Sequence, residues 1–355
     1  MKKILAALMV SGLFTGVAMA QTNIQLYGIA DTGIIKESGS DARMGSYTMS
    51  RIGLNGTEDL GGGMKATFEL LQRFRINDGT LTGNYSWDQG LRQSLGDKSK
   101  TEWTGMADVG LKGNWGHVRL GRVPNMSANS FTMLDPFDQN GIVSSFSVYN
   151  FLYSMYTSNT VRYDSPSFSG ATVGLTYTLG SDDHGDSDLA RFASDYGNDG
   201  YAINLMYDNG PLLLLANYEL KADSNNSFVW NAGGTYQWAN WKFFLGYEQS
   251  TFKSLGDFYP VRGNQKEWLT GFQYRTGPHL LLASYNYGKL DNSAHDGHAN
   301  KYALGYGYDL SKRTQLYADV VYVDSSSEYI GSVYNSNGVA RDSMTGVQFG
   351  ITHKF

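Results

Sequence analysis

The sequence predicts an all-β fold, a 16-stranded antiparallel transmembrane β-barrel. Segments of period-two alternation recur to the last residue. The connections between them alternate between tight turns and long loops. The composition is rich in Gly (43) and Tyr (25), sparing of Pro (6) and without Cys, which suits many strands and excludes disulfide frameworks, thiol catalysis and thiolate metal sites.

The first twenty residues stand apart. Lys2 and Lys3 precede an apolar run over 4–17, and Ala18-Met19-Ala20 is a small-residue cleavage site. Residues 1–20 therefore read as a signal peptide and 21–355 as the barrel domain. The run falls short of the ~20 apolar residues that a spanning helix needs. No later stretch is long and apolar enough either, so membrane insertion must use strands. Losing Lys2 and Lys3 takes the formal charge from −5 to −7. That mild acidity argues against a nucleic-acid partner, which would want a basic face.

Sixteen alternating segments are centred near Ala30, Ile52, Phe68, Ala107, Leu120, Arg162, Leu175, Leu205, Leu215, Gly234, Leu245, Gly271, Tyr285, Gly305, Ala318 and Gly350. The last is the clearest, with Val347, Phe349, Ile351, His353 and Phe355 on one face and Gln348, Gly350, Thr352 and Lys354 on the other. No segment reads as an amphipathic helix. Tight turns fall at 58–63, 113–116, 166–170, 208–210, 238–240, 276–278 and 309–312. Long loops fall at 37–45, 77–100, 123–158, 181–198, 222–227, 252–265, 290–298 and 324–343. One end of the molecule thus carries turns and the other carries loops, as in outer-membrane barrels, and an even strand count returns both termini to the turn side.

Lipid makes closure obligatory, because each unpaired backbone N–H or C=O there costs several kcal/mol and only a closed sheet has no edge. Sixteen strands enclose a bore too wide for side chains to fill. Polar faces meet water inside and apolar faces meet lipid outside, which explains the slightly negative mean hydropathy. Tyr27, Trp103, Trp115, Tyr177, Tyr207, Trp238, Trp241, Tyr274, Tyr308 and Phe355 are candidates for the interfacial aromatic belts.

Several stretches resemble the general porins of β-proteobacteria, the group that includes the neisserial porins. They are Gln25-Leu26-Tyr27-Gly28-Ile29-Ala30-Asp31, Ser50-Arg51-Ile52-Gly53-Leu54-Asn55-Gly56-Thr57-Glu58-Asp59-Leu60-Gly61, Val109-Gly110-Leu111-Lys112-Gly113, Leu120-Gly121-Arg122, Asn159-Thr160-Val161-Arg162-Tyr163-Asp164-Ser165-Pro166 and the ending His353-Lys354-Phe355. The resemblance spans the whole mature chain. It implies a homotrimer in the outer membrane of a Gram-negative bacterium, with the third loop folded into each pore. It also implies that Phe355 is the signal read by the barrel-assembly machinery. The family's acidic, Gly-rich motif early in that loop is replaced here by Leu134-Asp135-Pro136-Phe137-Asp138, which puts selectivity in question.

The connection 123–158 is long enough to be functional, and its aromatic content lets it pack, so it reads as the inward loop that narrows the bore. Asp135 and Asp138 are its only acidic residues. Strand parity turns Arg51, Arg73, Arg75 and Arg162 toward the lumen, since an arginine facing mid-bilayer lipid costs ~2–4 kcal/mol. Arg122 joins them through the resemblance. Five arginines facing two aspartates give a transverse field and a mild anion preference.

Weaker signals are bland. The Gly61-Gly62-Gly63 cluster is a turn. Asp182, Asp183, Asp186 and Asp188 form an acidic loop that would bind divalent cations bridging lipopolysaccharide, or simply be solvated. His295 and His298 share a loop with Asp291 and Asp296, which reads as a metal site or as a solvated loop. No nucleophile–base arrangement, cofactor motif or metal motif stands out, so the expectation is no enzyme and no cofactor. The leading functional reading is a channel for passive diffusion of ions and small hydrophilic solutes. A substrate-selective channel and a secreted β-rich adhesin or binding protein are the alternatives.

Overall fold

A computed structural model describes residues 23–81, 103–145, 155–180, 199–221, 227–252, 263–292, 296–326 and 343–355. Sixteen long strands run in chain order. They are β1 (Asn23–Glu37), β2 (Ser50–Gly61), β3 (Met64–Phe74), β4 (Ala107–Gly113), β5 (Gly116–Pro124), β6 (Tyr156–Asp164), β7 (Ala171–Thr178) and β8 (Gly200–Asn209). The remainder are β9 (Leu212–Leu220), β10 (Phe228–Trp238), β11 (Trp241–Phe252), β12 (Gly263–Thr276), β13 (His279–Asn292), β14 (Asp296–Asp309), β15 (Thr314–Ser325) and β16 (Ser343–Lys354). Each pairs antiparallel with its neighbours in sequence, and β1 pairs with β16 from Ile29↔Lys354 to Glu37↔Gly346, so the sheet is a closed ring.

Every expected segment centre lies in one of these strands. Three local features depart from expectation. A three-residue strand, Arg43–Gly45, pairs with Gly33–Ile35 inside the first loop. A helix, α1 (Met126–Thr132), opens the third loop. The expected long loop 290–298 is instead mostly ladder, since β13 and β14 pair out to Asp291↔Asp296. The stretches 1–22, 146–154 and 181–198 lie outside the described residues, and with them the leader, the Asp182–Asp188 cluster and most of the third loop's aromatics. His295 does too.

The period-two pattern builds two walls. On β15, Leu316, Val320 and Tyr322 are exposed on the outer face, while Tyr317, Asp319 and Val321 are buried on the inner one. Strand after strand repeats this, with Leu245 62% and Leu304 59% exposed, and such a continuous outward apolar band needs lipid rather than water. Among the described residues no helix is long and apolar enough to cross a membrane. The turn end is tight because Gly210 (φ 60°) and Gly277 (φ 54°) adopt the left-handed conformation that two-residue hairpins demand. At the seam, Phe355 exchanges backbone hydrogen bonds with Gly28 at 3.0 and 3.1 Å. Its ring lies where a Gly28 Cβ would sit.

Candidate pore constriction

The third loop leaves the wall at an irregularity. Register slips between Gly121 and Val123 opposite Asn159, whose φ is 54°. A bulge of this kind bends the strand and re-aims its side chains. Asn125 then caps α1, its side chain accepting from Ala128 N at 3.0 Å. Beyond the helix, Asp135 accepts from the amides of Phe137 (2.9 Å) and Ser145 (3.1 Å), closing 135–145 into a compact turn.

This segment lies across the bore. Phe131 and Leu134 pack on Leu213, Leu215, Phe244 and Leu269. Phe137, Ile142 and Val143 pack on Leu282, Ala303, Val321 and Val323, with Ile35 closing the cluster. Each such side chain removed from water contributes ~1.5–3 kcal/mol. Lumen-facing glycines make room for the contact. A Cβ on Gly233 would meet Leu134, one on Gly271 would meet Pro136 and one on Gly305 would meet Phe137, each within 2.7 Å. Polar ties complete the docking. Asn125 donates to Glu219 (2.7 Å), Asn204 to Ser130 (2.7 Å), Asn231 to the Ser127 carbonyl (2.9 Å) and Gln273 to the Pro136 carbonyl (2.6 Å). Gln348 accepts from Ile142 N, and Lys301 donates to the Ser144 carbonyl.

The apolar patches on the inner wall are what strand parity misses, since it expects a polar lumen. Their signal is a strand apolar on both faces, as in Leu212-Leu213-Leu214-Leu215, Phe243-Phe244-Leu245 and Val320-Val321-Tyr322-Val323.

The loop leaves a cavity of about 1370 Å³. Arg51, Arg73 and Arg75 line one side, with Arg51 and Arg73 directly paired across β2 and β3 and Arg73 almost wholly covered, its guanidinium over the Tyr156 ring. Asp138 lines the side formed by the loop. Arg43, Arg275 and Lys354 also line it, as do Glu37 and Glu69, so the lining carries 6 cationic side chains against 3 anionic, a net of +3. Two of these cations are paired, Arg43 with Glu37 at 2.7 Å and Arg275 with Asp309. Tyr27 faces this cavity and donates to Glu69, so it belongs to the lumen and not to the lipid belt.

Three expected constriction residues are placed elsewhere. Arg122 sits in the bulge and is held by the Gly105 carbonyl (2.8 Å), the Thr104 carbonyl (3.1 Å) and Ser158 Oγ (2.9 Å). Its guanidinium lies over the Tyr156 ring at 5.4 Å, and that of Arg73 over the same ring at 5.3 Å. Arg122 therefore fastens the root of the loop, and the bulge is why its parity could not be read. Arg162 faces inward but forks onto Asp164, which also takes Arg119 at 2.8 Å, and it donates to the Pro124 carbonyl at 2.9 Å. Asp135 is fully buried and shapes the turn.

Asp138 stays in contact with lumen water yet is ringed by protein. Desolvation, then the neighbouring Asp135 carboxylate, push its pKa up to about 6, against the pull of Lys242 and Lys354. Below that pH it loses its negative charge, so the lining becomes more positive. Anion preference, read as reversal potential in a salt gradient, is expected to rise between pH 7.5 and pH 5. The D138N variant should show the low-pH preference at both values.

Comparison with known proteins places the molecule among others. A family model described as Gram-negative porin matches residues 5–328. Outer membrane porin protein 32 of Delftia acidovorans is 31% identical over the full length of both chains. An outer membrane porin protein of Bordetella pertussis is 30% identical, also over both full lengths. Among solved structures, an anion-selective porin from Comamonas acidovorans superposes with a TM-score of 0.75 at 26% identity, covering 94% of this chain and 100% of its own.

Proposed function

The chain belongs to the Gram-negative porin family, and on that premise we propose that this outer-membrane channel, which passes ions and small hydrophilic solutes by passive diffusion, favours anions at its narrows. The observation that carries the preference is the net +3 lining of the cavity in a chain whose overall formal charge is −5. An aqueous pore selects by the diameter of its narrowest part and by the charge around it. The anion-selective porin that superposes on this fold supports the same sign. The test is the reversal potential of the reconstituted channel across a tenfold KCl gradient. A potential on the chloride side is expected, and one on the potassium side overturns the preference without touching the channel itself.

The working unit is read as a homotrimer. From β10 round to β15 the outward face carries a belt containing Trp230, Tyr247, Trp268, Tyr285, Tyr302 and Tyr322, side chains suited to a lipid headgroup interface. The four adjoining strands β16, β1, β2 and β3 carry no outward Trp or Tyr; their outward positions include Ala30, Ile34, Ile52, Leu54 and Phe349. A wall without interfacial anchors fits contact with a second copy of the chain. Residues 1–20 are read as the export leader that the route to this membrane requires. No catalytic role is assigned.

Phe355 is read as the assembly signal as well as the closing piece of the seam. Deleting it removes both backbone bonds to Gly28 and is expected to reduce the yield of heat-modifiable assembled barrel several-fold, measured by unheated gel migration of outer-membrane extracts. An unchanged yield removes the assembly role.

A further inference from the structure

The outward face carries one charge arrangement that the pore does not explain. Lys266 of β12 is the direct cross-strand partner of Lys289 of β13, and Lys289 in turn partners His298 of β14. Lys266, Lys289 and His298 are all exposed. By strand parity they share the outer wall with Trp268, Tyr287 and Tyr302. Like charges directly opposite in a ladder destabilise it. Among the described residues neither lysine has an ion pair. Gln249 flanks the row at one end, and His298 is tied to Ser326 through Nδ1 at 3.1 Å at the other. Asp291 and Asp296 face each other one step further out and bound the row from above.

Height identifies what compensates this row. The next outward row toward mid-barrel is Tyr247↔Trp268↔Tyr287↔Asn300, with the Trp268 and Tyr247 rings tilted against each other at 4.5 Å and those of Tyr247 and Trp230 at 4.9 Å. Such rings settle at the level of the lipid headgroups. Two residues along a strand is ~7 Å, so the lysines stand just outside that level, at the loop end of the barrel. Lipid phosphates occupy this height.

We propose that the Lys266–Lys289–His298 row, above the Trp268–Tyr287 shelf, binds the phosphate groups of a lipid in the outer leaflet, with the shelf taking the apolar part of the same molecule. Two ammonium groups side by side suit a phosphorylated glycolipid headgroup, and each lysine near an anionic lipid surface strengthens the attachment. The proposal rests on this wall facing the membrane and is independent of ion preference in the pore.

The test uses the purified full-length protein in detergent, titrated with bisphosphorylated lipid A, with the same lipid stripped of its phosphates, and with inorganic phosphate. Bound lipid is counted by native mass spectrometry. The K266Q/K289Q variant is expected to hold bisphosphorylated lipid A at least about tenfold more weakly than the parent. Removing the phosphates should cost the parent a similar factor. K266R/K289R should bind as the parent does, and inorganic phosphate should not displace the lipid. Equal binding by K266Q/K289Q and the parent overturns the proposal, as does loss of binding in K266R/K289R. Displacement by inorganic phosphate overturns the lipid as the source of the anion. Single-channel conductance of K266Q/K289Q should match the parent, which separates this result from any failure of the channel reading.

Discussion

Replacing Arg51 and Arg73 together by glutamine is expected to lower the anion-to-cation permeability ratio roughly tenfold. A unit charge ~5 Å from a passing ion is worth about 0.8 kcal/mol in water, or roughly fourfold per arginine. At 0.1 M salt the screening length is ~10 Å, so the effect survives ordinary recording conditions and shrinks at 1 M. The two side chains are adjacent across β2 and β3 and both line the cavity, so their fields add at one height of the pore. Reversal potential in a KCl gradient reads the ratio directly. The R51K/R73K variant keeps the charges and should keep most of the preference, while losing the stacking of Arg73 on Tyr156. A potential unchanged in R51Q/R73Q would place the selective step elsewhere in the channel.

The barrel itself is legible in the sequence because lipid and water impose a strict two-sided pattern. Leu316, Ala318, Val320 and Tyr322 have to lie on one wall once β15 is a strand, and sixteen segments of this kind must close. The site is legible only in part. Arg51, Arg73 and Arg75 follow from the same parity, since each lies in or just beyond a regular ladder. Arg122 does not, because a one-residue irregularity at Gly121–Val123 reverses the face to which its side chain belongs. Arg162 faces inward as parity requires, but alternation carries no information about Asp164, two residues along on the same face, which holds it in an ion pair shared with Arg119. Asp135 and Asp138 are three residues apart and chemically alike. Only the fold of the turn decides that one closes it and the other reaches water. Helix α1 escapes pattern reading for a related reason. At seven residues it is too short for a periodic signal, and its cap and wall contacts hold it more than its propensity does.

Undocking the third loop is the largest change that two substitutions should produce. Leu134 and Phe137 are almost wholly buried and anchor the segment on two separate parts of the wall, Leu134 on the patch containing Leu213, Leu215, Phe244 and Leu269, and Phe137 on the patch of Leu282, Ala303 and Val321. Truncating a buried Leu or Phe to Ala costs ~2–5 kcal/mol, most of it in the cavity left behind. The ladder hydrogen bonds that hold the barrel are untouched, so the cost falls on the docked loop rather than on the ring. Either single variant leaves the other anchor and the ties to Glu219, Gln273 and Gln348 in place, and should give near-parental conductance with more frequent switching. In L134A/F137A both anchors go, and the bore reverts toward the open width of a 16-stranded ring, so single-channel conductance should rise about twofold. Ion preference should fall with it, because solutes in the widened bore no longer pass within a few ångströms of the arginine wall, which outweighs the removal of the Asp138 charge. Greater protease cleavage within 125–145 in the double variant, with barrel heat-modifiability retained, would identify loop release as the cause. A double variant that conducts like the parent would mean that the polar ties alone fix the loop and that the inner apolar patches serve only the wall.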